Sequence, residues 1–189
     1  MGLAKYLKEA WKKPDKKDMK ERMVEWRKDG SITSVDKPLR LDRAHALGYK
    51  AKKGIVVVRV KIKRGGHKRT RPHKGRRSKR MHIRLNLSMN YKEIAEQRAA
   101  RKYPNCEVLG SYWVGKDGKH YFYETILADR NAPTIKTDKE LKYLAKPANR
   151  ARAFRGKTSA GRKARGLRNS PVKAPKVRPS LRANGRKGN

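Results

Sequence analysis

No aspartate or glutamate occurs between Asp42 and Glu93, and none follows Glu140. The two acid-free stretches, residues 43–92 and 141–189, cover 99 of the 189 positions and carry 34 of the 54 lysines and arginines. They account for +34 of the net charge of +38, so the other 90 residues are close to neutral. An ordinary solvated surface mixes signs. Charge segregated this far needs a polyanion to neutralise it, and nucleic acid is the obvious one.

A core built from such a chain is expected to be small. The hydrophobic fraction is 35%, below the roughly 45–50% typical of soluble domains, and the mean hydropathy is −1.06. No apolar run approaches the roughly 18 residues that suggest a membrane span. Residues 1–11 lack the apolar centre of a signal peptide, and Tyr6 stands where a myristoylation motif needs Ser or Thr. The lone Cys106 cannot form an internal disulfide or build a zinc site with its neighbours, so a small buried thiol in a reducing cytoplasm is expected.

Periodicity marks the elements. Leu3, Tyr6, Leu7, Ala10 and Trp11 form one helical stripe, and Pro14 ends it. Residues 15–29 read as a second helix, with Met19, Met23 and Trp26 on one face and Gly30 as its C-cap. Residues 31–35 are a weakly signalled strand. Residues 54–63 are the clearest strand: Val56, Val58, Val60 and Ile62 share one face, and Arg59, Lys61 and Lys63 the other. The second face is expected to be a cationic platform for phosphate. Asn90 and Glu93 form a capping box for a helix through Tyr103, ended by Pro104. Asp117-Gly118 between two aromatic, β-branched runs, 108–114 and 120–128, signals a hairpin whose rings are expected to pack as core. Thr137 and Glu140 read as a second capping box ahead of Leu141, Tyr143 and Leu144. The acids Glu93 and Glu96 fall on a helix beside Lys and Arg, which suits surface pairing.

The expected architecture is therefore α+β: a core, 1–146, with a basic loop, 64–90, inserted in it, and an extended basic tail, 147–189. The tail has few large apolar residues and cannot offset an ordering entropy of roughly 1–2 kcal/mol per residue, so alone it is expected to be disordered. In the loop, Arg64, Lys68, Arg69, Arg71, Lys74, Arg76, Arg77, Lys79 and Arg80 are interleaved with Gly65, Gly66 and Gly75. Glycine lets backbone approach a phosphate, and Arg grips it with two parallel hydrogen bonds. The tail repeats the chemistry with Arg150, Arg152, Arg155, Arg162, Lys163, Arg165, Arg168, Arg178, Arg182, Arg186 and Lys187. Gly161 and Gly166 have P-loop spacing, but Leu167-Arg168 follow where Lys and Ser/Thr belong, so nucleotide binding is not expected. His67, His73 and His82 sit amid positive charge without a fourth ligand, which suits contact with RNA better than metal. No catalytic constellation, cofactor motif or small-molecule site stands out.

Five collinear segments carry a resemblance. They are Leu41-Asp42-Arg43-Ala44-His45-Ala46-Leu47-Gly48-Tyr49-Lys50-Ala51-Lys52, Lys74-Gly75-Arg76-Arg77-Ser78-Lys79-Arg80, Val108-Leu109-Gly110-Ser111-Tyr112-Trp113-Val114-Gly115, the run from Phe154 to Lys163, and Arg178-Pro179-Ser180-Leu181-Arg182-Ala183-Asn184-Gly185. Together they resemble the ribosomal protein L fifteen-e family of the large subunit, in its archaeal branch, over almost the whole chain. The resemblance implies a small antiparallel sheet flanked by helices, and extensions that thread into large-subunit ribosomal RNA and touch neighbouring ribosomal proteins. It implies no catalysis, and a place in the cytoplasmic ribosome as part of the translation ribonucleoprotein. Carried over by motif, the RNA contacts would be Arg43, Lys50, Lys52, Lys74 to Arg80, Arg155, Arg162, Lys163, Arg165, Arg178 and Arg182. Lys53, Arg64, Lys68, Arg69, Arg71, His73, Arg150, Lys157, Arg168 and Arg186 complete the expected RNA-binding set. The more apolar stretch 82–90, with Leu85, Leu87 and Met89, suits a protein neighbour. Charge alone also admits a DNA-packaging protein of chromatin type, or a ribosome assembly factor. Equal affinity for duplex DNA would favour the first.

Overall fold

The computed structural model describes residues 2–66, 75, 87 and 89–185. Its centre is a four-stranded, wholly antiparallel sheet in the order β1-β2-β4-β3. The strands are β1 (Ile32–Val35), β2 (Ile55–Lys63), β3 (Cys106–Lys116) and β4 (His120–Asp129). Helices α1 (Leu3–Ala10), α2 (Lys16–Lys28) and α3 (Leu41–Ala46) precede β2, and α4 (Tyr91–Lys102) precedes β3. Two short helices follow the sheet, α5 (Pro133–Lys136) and α6 (Ser159–Ala164), with single 3₁₀ turns around them. This is the α+β arrangement that the sequence indicates.

Both faces of the sheet are covered. On one, Val58, Val60 and Ile62 of β2 and Tyr123 and Leu127 of β4 pack under Ala95 and Ala99 of α4. On the other, Phe122 and Ile126 of β4, with Tyr112 and Val114 of β3, meet Met19 and Trp26 of α2 and Ala44 of α3. Trp26 stands edge-on to Phe122 at 5.3 Å. Burial on two faces explains why β4 is buried without interruption from Phe122 to Ala128, where a one-sided sheet would alternate. The hairpin aromatics are mostly core, as expected, although Trp113 and Tyr121 remain half-buried.

The second cover overturns the cationic platform on β2. Arg59 bonds Asp29 at 2.6 Å and lies over the Trp26 ring. The Lys61 ammonium donates to the carbonyls of Arg27 and Asp29. Lys61 thus satisfies carbonyls at the open C-terminal end of α2, where a helix presents partial negative charge, while Arg59 pairs with the side chain of the capping Asp29. The two cations also replace the expected glycine cap, since Gly30 does not take a positive φ. Only Lys63 of the three is exposed.

Other local expectations change in mechanism. Asp117 caps the β3–β4 turn with its side chain, accepting from the amides of Lys119 and His120, and neither Asp117 nor Gly118 has a positive φ. The second capping box is displaced by one residue. Asp138 accepts from the amides of Glu140 and Leu141, while the Thr137 hydroxyl donates back to Pro133. At α4 the Asn90 side chain accepts from the Glu93 amide at 2.9 Å, but Glu93 does not reciprocate: its carboxylate is buried.

Gly54 turns the chain into β2 at φ +89, and a Cβ there would lie 2.8 Å from the Ala132 methyl and 3.2 Å from Ile135. Gly54→Ala is expected to destabilise the fold by about 2 kcal/mol, through left-handed strain and overpacking together. A thermal melt unchanged from the parent would refute this.

Residues 151–158 are bound to the core rather than left loose. Glu107 of β3, buried, accepts from the successive amides of Ala151 (2.7 Å) and Arg152 (3.1 Å). That clamp holds Ala151 at φ +56, a conformation that non-glycine residues rarely adopt. Ala153 then enters the core beside α4. Glu96 of α4, only 1% exposed, accepts from Ser111 of β3 at 2.8 Å and from Thr158 at 2.5 Å. Thr158 also caps α6, and Gly161 packs where a Cβ would stand 2.6 Å from the Gly156 backbone. That close approach is the structural use of the glycine that only mimics P-loop spacing. The expectation that Glu93 and Glu96 make surface pairs is therefore wrong. Both are buried, because α4 turns that side onto the sheet and the tail closes over it.

Candidate nucleic-acid interface

Among the described cations of the expected RNA-binding set, two groups separate. The first is engaged by the fold. Lys50 bridges Asp138 at 3.0 Å and Glu140 at 2.9 Å, and Lys52 reaches Asp138 at 2.5 Å and the Thr134 carbonyl at 2.9 Å. Hydrogen bonds to Glu140 and then Asp138 raise the Lys50 ammonium above its ordinary value. Those from Lys52 and Lys50 hold the Asp138 carboxyl well below the usual carboxylate range. Arg64 donates to the Asp117 carbonyl at 2.6 Å and lies over the Tyr121 ring, so it braces the hairpin turn. Arg155 and Lys157 both donate to the Ala148 carbonyl. Arg178 spans the carbonyls of Leu167 and Asn169, Arg165 donates to Gly156, and Arg168 bonds Ser159. A segment built of turns and short helices leaves many carbonyls without ladder partners, and arginine forks satisfy several at once.

The second group is free. The side chains of Arg43, Lys53, Arg150, Arg162, Lys163 and Arg182 are exposed. They have no hydrogen bond or ion pair among the described residues. Lys68, Arg69, Arg71, His73, Lys74, Arg76, Arg77, Lys79, Arg80 and Arg186 lie outside those residues, as do His67 and His82.

Arg43, Lys163 and Arg168 converge with Lys92, which sequence reading did not single out, around a cleft of about 450 Å³ between α3, α4, β3 and α6. Lys92 is held below its ordinary pKa, first by desolvation and then by repulsion from Arg43, Lys163 and Arg168. Its neighbours come from sequence positions more than a hundred residues apart, so only the fold brings this cluster together.

No group of three or more His, Cys, Asp or Glu side chains able to hold a metal occurs among the described residues. Cys106 is buried, and burial raises its thiol to about 11, far from a reactive thiolate. No helix there is long and apolar enough to cross a membrane. The described residues thus define a strongly basic α+β protein with buried acids and a surplus of exposed cations without ion-pair partners.

Comparison with known proteins gives the particular family. The family described as Ribosomal L15 matches residues 2–184, and the chain belongs to it. It is 53% identical over 184 residues to the large ribosomal subunit protein eL15 of Methanospirillum hungatei, covering 95% of this chain and 94% of that protein. It is 50% identical over 188 residues to the protein of the same name from Methanocorpusculum labreanum, covering 97% and 96%.

Proposed function

We propose that this chain binds and bridges segments of large-subunit ribosomal RNA by neutralising phosphates and filling shape, as a structural, non-catalytic constituent of the subunit. Family membership places it in the large subunit of the cytoplasmic ribosome. The observation that carries the finer reading is the set of exposed cations that the fold leaves without partners, on a chain at +38. Arg43, Lys53, Arg150, Arg162, Lys163 and Arg182 contact phosphates directly. Lys50, Lys52, Arg64, Arg155, Lys157, Arg165, Arg168 and Arg178 first shape the surface and face RNA only with the donors left over. The basic loop, 64–90, and the tail, 147–189, reach separate RNA helices from one core, and neighbouring ribosomal proteins take the remaining contacts. A-form RNA is read through shape, phosphates and 2′-hydroxyls, so little base-specific recognition is expected from this surface as a whole.

Sedimentation of a cell lysate through a high-salt sucrose gradient tests the assignment. The protein is expected to travel with the large subunit and to survive the salt wash. Release to the top of the gradient, or recovery on DNA, would return the assembly-factor or chromatin-type readings.

A further inference from the structure

The cleft rimmed by Arg43, Lys92, Lys163 and Arg168 differs from the rest of the basic surface in having a floor. Tyr123 of β4, 7% exposed, and Leu47 line it, together with Gly110 and Ser111 of β3. Gly110 presents no side chain there, and its Cα approaches Leu47 so closely that a Cβ would sit 3.0 Å from that side chain. The Tyr123 hydroxyl has no hydrogen-bond partner among the described residues. Its volume, about 450 Å³, lies in the range of about 300–1,000 Å³ usual for small-ligand sites. A phosphate alone needs cations and no such depth; an aromatic, mostly apolar floor with one open hydroxyl suits a planar base.

We propose that this cleft receives a single unstacked RNA nucleotide, its phosphate held between Arg43, Lys163 and Lys92 and its base seated against Tyr123 and Leu47. The proposal rests on the reading of the chain as an RNA-binding protein and adds to it one point of local, base-dependent recognition. Unpaired bases splayed from RNA loops and bulges are recognised in this way, by stacking on aromatic rings and by hydrogen bonds to their edges. The electrostatics agree: Lys92 is depressed first by desolvation and then by repulsion from Arg43, Lys163 and Arg168, and an anion at the rim relieves that repulsion.

The test titrates the full-length chain with the four nucleoside 5′-monophosphates, ribose 5-phosphate and inorganic phosphate. Calorimetry and NMR read binding at about 300 mM salt, where long-range attraction is screened to a few ångströms. At least one nucleotide is expected to bind about tenfold tighter than ribose 5-phosphate and to shift the Tyr123 ring resonances. Ala46→Leu, at an exposed position on the cleft wall, is expected to abolish that preference while phosphate still binds. Arg43→Gln with Lys163→Gln is expected to weaken all of the anions. Equal affinity for nucleotides and ribose 5-phosphate, or no binding at all, would overturn the proposal. RNA binding by the same proteins separates the two levels: Ala46→Leu retaining the parent salt slope keeps the broader reading intact, whichever way the nucleotides behave.

Discussion

Between 50 and 200 mM salt, the affinity of the full-length chain for large-subunit ribosomal RNA is expected to fall by roughly 10³–10⁵. That loss corresponds to release of counterions from about 6–10 neutralised phosphates. The described residues alone supply enough free cations: Arg43, Lys53, Lys92, Arg150, Arg162, Lys163 and Arg182 are exposed, with no ion pair among those residues. The distinction between free and engaged cations sharpens the test. Arg162→Ala removes a charge that nothing in the described chain offsets and is expected to lower the salt slope by about one unit. Lys50 already faces Asp138 and Glu140, so Lys50→Ala is expected to change the slope far less. Fluorescence anisotropy across a salt series measures both. A flat slope in the parent, or equal effects of the two variants, would refute the account.

Glu96→Ala is expected to destabilise the protein by about 3–4 kcal/mol. The substitution deletes two charge-assisted hydrogen bonds, each worth about 1.5–3 kcal/mol, and leaves the hydroxyls of Ser111 and Thr158 without their acceptor. A chain of this size shifts by roughly 2–4 °C per kcal/mol, so the melting temperature is expected to drop by roughly 10 °C. Thr158 is a principal tie between α6 and the core, so trypsin is expected to cut earlier within residues 155–185. A melt within a degree of the parent and an unchanged digest would show that the tail is held by other contacts.

Glu96→Gln separates charge from shape. Burial raises the Glu96 carboxyl above its ordinary value, against the lowering effect of Thr158 and Ser111; Glu93 raises it further and Lys92 opposes. A carboxyl with a raised folded-state pKa takes up its proton earlier in the folded than in the unfolded chain. Stability from this group therefore increases as pH falls from above the raised value to the ordinary carboxylate range, about 4.3 for Glu. In Glu96→Gln that increase is expected to shrink without vanishing, because burial also raises Glu93 and Glu124. Asp138 works in the opposite sense. Its depressed carboxyl contributes stability that is present above about 3.9 and is lost on further acidification.

Local features carried far in this protein. The alternation in 55–63, the aromatic runs around Asp117-Gly118 and the helical spacing of Met19, Met23 and Trp26 each place a backbone element and its inner face correctly. Side-chain period is a property of neighbouring residues, and it survives whatever packs on top. The short helices α3 and α6 were not legible, since six residues hold too little periodicity and their stability comes from tertiary contacts. The basic character of the candidate interface was legible in the sequence, but which of its cations stay free was not. Runs of Lys and Arg without acids announce a polyanion partner, but the same runs cannot show that Lys50 and Lys52 are taken by an aspartate more than eighty positions away.

What the sequence determined by itself is the segregated positive charge and the main elements of the sheet, because net charge and local period are set by composition and order alone. The tertiary structure alone decided which acids are buried, which cations remain free and how the tail is fastened. Glu96 spaced beside Arg and Lys on a helix looks like half of a surface pair. It becomes an internal clamp only because β3 and Thr158, 15 and 62 residues away, arrive on the same side of α4. Burial is a property of what covers a residue, and the covering segments here are distant in sequence.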